Sequence, residues 1–158
     1  MTSRPTVAPS DYRQAMALAV NGVCIVTTGG RAGRFGITVS SLASVSADPA
    51  LLLVCVRRSS PAHRALIENR VFCINLLGTV HRELAEAFAR RSSQGRAQQF
   101  ATGVWAPGSH TVFIGRVAAV TCAGGSPLLY AGRAYGTVAR LTPPVPERHA
   151  MQPHVATR

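Results

Sequence analysis

Lysine is absent from this chain. Its seventeen basic residues are all arginine, only six acids oppose them, and the formal net charge is +11. So positive a balance attracts anions of any kind, from small phosphates to nucleic acid. The arrangement argues against nucleic acid. The arginines are scattered from Arg4 to Arg158, with only Arg57-Arg58 and Arg90-Arg91 adjacent. Aromatic residues make up just 6% of the chain, so few rings interleave with the arginines as stacking platforms for bases. A basic nucleic-acid-binding barrel is therefore a remote alternative that rests on charge alone.

Other absences narrow the class further. No apolar run reaches the roughly 18–20 residues that a membrane-spanning helix needs. The first ten residues hold no apolar stretch of the secretory kind. The expectation is a cytoplasmic protein with no membrane partner. None of the four cysteines, Cys24, Cys55, Cys73 and Cys122, forms a C-x-x-C pair, which disfavours a metal knuckle or a dithiol redox motif. Each lies in an apolar, strand-like run and reads as a reduced core thiol. His63, His149 and His154 show no metal spacing, and no metal site is expected.

At 158 residues the chain has the length of one domain with a real core. Residues 1–9 read as a loose arm, 10–141 as the folded unit and 142–158, rich in proline, as a disordered tail. Ser10 or Asp11 is placed to cap a helix over residues 12–20, which Asn21-Gly22 would end. Residues 23–28 and 35–41 read as strands joined by a glycine-rich hairpin link. Residues 50–56 form a continuous apolar strand expected to be buried on both faces. Ser59-Ser60-Pro61 starts a helix to about residue 69: a hydroxyl cap followed by proline at the first helical position. Residues 71–77 read as a strand. Residues 80–91 read as a helix with Leu84, Ala85, Phe88 and Ala89 on one side. Residues 92–95 read as a loop, and 112–122 and 127–140 as the last strand material. No regular β-α-β alternation appears, so the fold class is mainly β with peripheral α, a barrel and not a doubly wound sheet.

Two stretches place hydroxyls beside a glycine or beside cations. FGITVSS at residues 35–41 carries Thr38, Ser40 and Ser41 beside a glycine, so hydroxyls and main-chain N–H groups can converge on a ligand. The sequence RRSS at 57–60 precedes a helix, where free N–H groups and the positive helix end favour an anion. Ser60 fits plain capping and anion binding equally well. His110, taken alone, is a strand-end histidine that satisfies a backbone group.

Six motifs in order raise these readings to a family resemblance. They are GVCIVTT (22–28), GITVSS (36–41), SVSADP (44–49), the helix with ELAEAFA (83–89), SHTVFIGRV (109–117) and PLLY with GRAY (127–135). In this order they resemble the flavin reductase family, small NAD(P)H:flavin oxidoreductases built on an FMN-binding split β-barrel. The resemblance spans roughly residues 12–135. It implies FMN or FAD as flavin, NADH or NADPH as co-substrate, a homodimer, and transfer of reduced flavin to a partner monooxygenase. It also implies a site. The flavin ring would lie against Ile37, Thr38, Val39, Ser40 and Ser41 and the turn holding Ser46 and Asp48. The phosphate end would meet Cys55, Val56, Arg57, Arg58, Ser59 and Ser60. His110 would act beside the flavin and nicotinamide, and Arg133 and Tyr135 at the flavin edge. His81 reads as a surface residue.

One departure stands out. In the family the W-x-x-G segment, here Trp105 to Gly108, precedes a further turn and a long strand before the histidine motif. Here Gly108 runs directly into Ser109 and His110, so one barrel strand is expected to be missing. A flavin-binding module without turnover, or an inactive shortened relative, is the alternative that this departure raises.

Overall fold

The computed structural model describes residues 7–90, 103–105, 108–122 and 124–139. The expected tail and the loop at 92–95 fall outside them. Helix α1 spans Pro9–Ala17. Strands β1 (Asn21–Gly22), β2 (Cys24–Thr28), β3 (Phe35–Val39), β4 (Ala43–Ala47) and β5 (Ala50–Arg57) follow. Then come α2 (Pro61–Asn69), β6 (Cys73–Leu76), a 3₁₀ turn (Thr79–His81) and α3 (Arg82–Arg90). Strands β7 (Gly103–Trp105), β8 (His110–Arg116), β9 (Leu129–Ala131) and β10 (Ala134–Gly136) are the last elements among the described residues. No helix among the described residues is long and apolar enough to cross a membrane.

Among the described residues the strands form three antiparallel sheets, ordered β1-β9-β10, β3-β2-β6 and β4-β5-β8-β7. A closed ring of main-chain bonds links the first two. Val23 N–H donates to the Leu128 carbonyl at 2.9 Å, Leu128 N–H to Leu77 at 2.8 Å, and Leu77 N–H back to Val23 at 3.0 Å. All three residues are buried, so each main-chain group would otherwise be orphaned.

The period of two decides what faces inward. Val26 of β2, Val54 and Val56 of β5 and Phe113 of β8 meet Leu66 of α2 and Phe72 in the main core, with Ile37 and Val39 of β3 packed on its edge. The opposite face of β2 brings Val23 and Ile25 onto Ala85 of α3, Leu77 and Leu128.

Several expectations need correction. β5 is not buried on both faces: Val54 and Val56 are, but Leu51, Leu53 and Cys55 are half-buried. They face away from the packed cluster, and nothing in either core covers them. Helix α1 starts at Pro9 with Ala8 in the capping position and no side-chain cap, and it ends at Leu18. Asn21-Gly22 instead pairs as β1 with Tyr130 and Leu129. On α3, Ala85 is buried and Phe88 half-buried, while Leu84 is 45% exposed, so the stripe is narrower than four residues. Asp48-Pro49 makes the tight turn between β4 and β5, where Ala47 pairs with Ala50. The start of α2 is as expected: Ser60 Oγ accepts from Ala62 N–H and Pro61 takes the first position.

Candidate functional site

The end of β5 and the start of α2 gather most of the sequence-predicted residues. Arg57, the last residue of β5, pairs with His110 at the start of β8. Arg58 N–H donates to the Ser109 carbonyl at 3.0 Å, and its guanidinium donates to the Gly108 carbonyl. Ser60 N–H donates to the Arg57 carbonyl at 3.0 Å, closing the turn into α2. Arg57, Arg58 and Ser59 are exposed and His110 is half-buried. Among the described residues neither arginine has a carboxylate partner; the ion pairs lie at Arg64–Glu68 and Arg82–Glu86. The nearest acid along β5, Asp48, sits at the far end of that strand. The result is a positive, hydroxyl-bearing corner at the start of α2.

Ser40 and Ser41 join this corner from the β3–β4 link. Ser41 Oγ donates to the Cys55 carbonyl at 2.9 Å and accepts from Cys55 N–H at 3.0 Å. Both main-chain groups of Cys55 thus face one edge, where the β4 ladder has already stopped at Leu53. Ser40 is exposed. Ser109 Oγ lies 2.9 Å from His110 Nδ1.

Other predicted residues are placed elsewhere or turned inward. Val56 is fully buried and can offer a ligand only main chain, while Ile37 and Val39 are half-buried and pack against the core. Thr38 points the other way and donates to the Ala85 carbonyl of α3 at 2.7 Å. Ser46 and Asp48 lie in the β4–β5 turn, where Ser46 Oγ donates to the Asp48 carbonyl at 3.0 Å. Seven residue steps of β5, about 24 Å of strand, separate that turn from Arg57. The structure does not bring these two groups together.

Arg133 and Tyr135 belong to a separate cleft of about 660 Å³ between α3 and the β9–β10 hairpin, which Arg82, Glu86 and Tyr130 also line. Gly132 and Arg133 both adopt positive φ, at 58° and 63°, as a two-residue hairpin turn requires. The Tyr130 and Tyr135 rings meet edge-on at 5.2 Å, and the Arg82 guanidinium lies 5.8 Å from the Tyr135 ring centroid.

Sequence reading missed His63, Arg82, Glu86 and Tyr130. The i, i+4 spacing of Arg82 and Glu86 was a readable signal. Burial, and then the Arg58 guanidinium, hold the His63 imidazole below its ordinary pKa of 6.5. Burial alone pushes the Cys24 thiol up to about 12, which keeps it inert.

The fold is a small, mainly β barrel domain that carries a positive corner at a helix start. The family model described as "Flavin reductase like domain" matches residues 16–109. The chain belongs to that family, and its fold is the family's split barrel. A protein of Bradyrhizobium diazoefficiens named FMN reductase (NADH) RutF is 38% identical, covering 84% of this chain and 87% of its own length. A second RutF, from Methylorubrum extorquens, is 39% identical, covering 85% of this chain and 92% of its own. The styrene monooxygenase flavin reductase of Pseudomonas putida S12 superposes with a TM-score of 0.73 at 24% identity, covering 82% of this chain and 99% of the other. The Bradyrhizobium alignment runs over 158 positions but takes up 84% of this chain, so about 25 positions of the relative have no counterpart here.

Proposed function

We propose that this protein is an NADH-dependent FMN reductase that hands reduced flavin to a separate oxygenase. One observation carries the proposal. Arg57, Arg58, Ser59 and Ser60 converge at the start of α2 with His110 across the ladder, in a chain whose relatives are named FMN reductase (NADH). Those names favour FMN and NADH; FAD and NADPH are the alternatives that the assay separates.

The donor set suits FMN. Two guanidinium groups without carboxylate partners, the Ser59 hydroxyl and the positive end of α2 match a phosphate dianion. Ser60 Oγ already accepts a hydrogen bond, which leaves its proton free to donate toward an anion. The main chain of residues 37–41 offers donors to a flavin ring, and the core packing of Ile37 and Val39 keeps that strand rigid. When bound, the flavin supplies the redox chemistry by taking hydride at N5 from nicotinamide C4. The protein's part is to orient two rings and exclude water, which calls for no nucleophile or carboxylate pair. His110 orients the nicotinamide or stabilises negative charge on the ring.

The domain is proposed to extend over residues 10–141 and to act as a homodimer, which would cover apolar side chains such as Leu76 and Val80, 71% and 86% exposed. The strand between Gly108 and Ser109 is proposed to be lost; the unmatched positions of the RutF alignment and the direct turn into β8 support this. The same shortening favours a second reading, a flavin-binding module without turnover. Titration with FMN and FAD, followed by quenching of flavin fluorescence, tests both. Saturable binding at micromolar or lower concentration with flavin-dependent loss of NADH absorbance is expected. Binding without NADH oxidation selects the second reading, and no quenching by either flavin removes both.

A further inference from the structure

His63 lies on the first turn of α2, three residues past the Ser60 cap. Its Nε2 is 2.8 Å from Thr111 Oγ1, and its ring meets Phe113 edge-on at a centroid separation of 5.8 Å. Thr111 is 1% exposed and adjoins His110 in β8. One hydrogen bond therefore joins the helix that starts at the positive corner to the strand that carries His110.

That bond acts where β8 is held unevenly. β7 pairs with Val112, Phe113 and Ile114 and stops there. Beyond that span, the His110 end of β8 is held by its β5 ladder, by the Arg58 N–H bond to Ser109, and by His63.

We infer that His63 is a positioning residue: through Thr111 it sets the first turn of α2, and so the phosphate-binding corner, against the His110 strand. This rests on the FMN-phosphate reading above. A neutral ring suits the task. Burial and the Arg58 charge both disfavour the imidazolium, and a neutral ring can share its hydrogen with a hydroxyl without placing a charge against Phe113.

Riboflavin carries the ring of FMN without the phosphate, so the ratio of the two affinities isolates the corner. Fluorescence quenching would be measured for the wild type, His63→Leu, Thr111→Val, their combination, and Thr111→Ser. The wild type is expected to bind FMN more tightly than riboflavin. His63→Leu and Thr111→Val should each cut that preference about tenfold, the upper end of what one neutral hydrogen bond contributes. The combined variant should cut it no further, since one bond is removed in each case. Thr111→Ser keeps the hydroxyl and should keep the preference. Thr111→Val matches threonine in shape, which protects the test against a folding failure of His63→Leu. Variants that weaken both ligands alike, leaving the ratio intact, would mean that His63 is structural only and overturn the inference while the phosphate reading stands. A wild type without preference for FMN would overturn the phosphate reading itself, and the inference with it.

Discussion

Ser41→Ala separates a clamp from a ligand contact. The Ser41 hydroxyl makes two hydrogen bonds to one residue, donating to the Cys55 carbonyl and accepting from Cys55 N–H. Cys55 lies between Val54 and Val56, both fully buried, at a point where β4 no longer pairs with β5. Alanine removes both bonds and supplies nothing to the exposed edge. At about 1 kcal/mol net per bond the loss is about 2 kcal/mol. For a chain of this length that lowers the melting midpoint by roughly 4–8 °C. The assay is thermal unfolding followed by far-UV circular dichroism at fixed protein concentration, because a dimer would make the midpoint concentration-dependent. Ser41→Thr, which keeps a hydroxyl, should retain most of the stability. A Ser41→Ala midpoint within about 1 °C of the wild type would refute the clamp. If flavin affinity fell at the same time, Ser41 would be a ligand contact in the first place.

Two further predictions concern the core and pH. A Cβ on Gly115 would meet Phe72 Cζ at 2.5 Å; Gly115→Ala should therefore cost about 1–3 kcal/mol in denaturant unfolding, and Phe72→Leu in the same chain should recover part of it, whereas a neutral Gly115→Ala would contradict the packing. His63 has a folded-state pKa below its ordinary 6.5, so the unfolded chain binds the proton more readily; its contribution to stability is full above that value and is lost as pH falls through the lowered folded value. Stability should drop over that acidic window in the wild type and drop less in His63→Leu, and equal slopes would refute the assignment.

What the sequence made legible was local. The Ser60 cap, the proline after it and the β-rich runs of β2 and β5 are written within a few residues, and the structure has a capped helix start and two strands there, although only one face of β5 is buried. The Asn21-Gly22 reading failed because a turn signal cannot tell a helix stop from a two-residue strand whose partner, Leu129–Tyr130, lies far along the chain. The width of the α3 stripe failed for a similar reason: helical spacing selects a side, but what covers that side is set by Val23, Ile25 and Leu128. Within the candidate site, the corner at 57–60 was readable from composition and capping alone. His63 was not, since its meaning depends on Thr111, forty-eight residues away.

The stretch before His110, proposed above to have lost a strand, shows how sequence and packing meet. A strand deleted from a sheet leaves a row of unpaired N–H and C=O groups on its neighbour. On that side of β8, Gly103–Trp105 pairs with Val112 to Ile114. Three residues cannot cover the seven of β8. The interior of β8 is thus served on both sides, while His110 and Thr111 are laddered on the β5 side alone among the described residues. Holding that end in register then falls to contacts that a full-length neighbour would make less important: the Arg58 bonds to Gly108 and Ser109, and the His63 bond to Thr111. On this argument, deleting the His63 bond should cost this chain more of its site geometry than it would cost a relative that keeps the strand. The FMN-to-riboflavin ratio, measured in His63→Leu here and in the corresponding variant of a full-length RutF, would decide it: equal losses would show that the neighbouring strand contributes nothing to the position of His110.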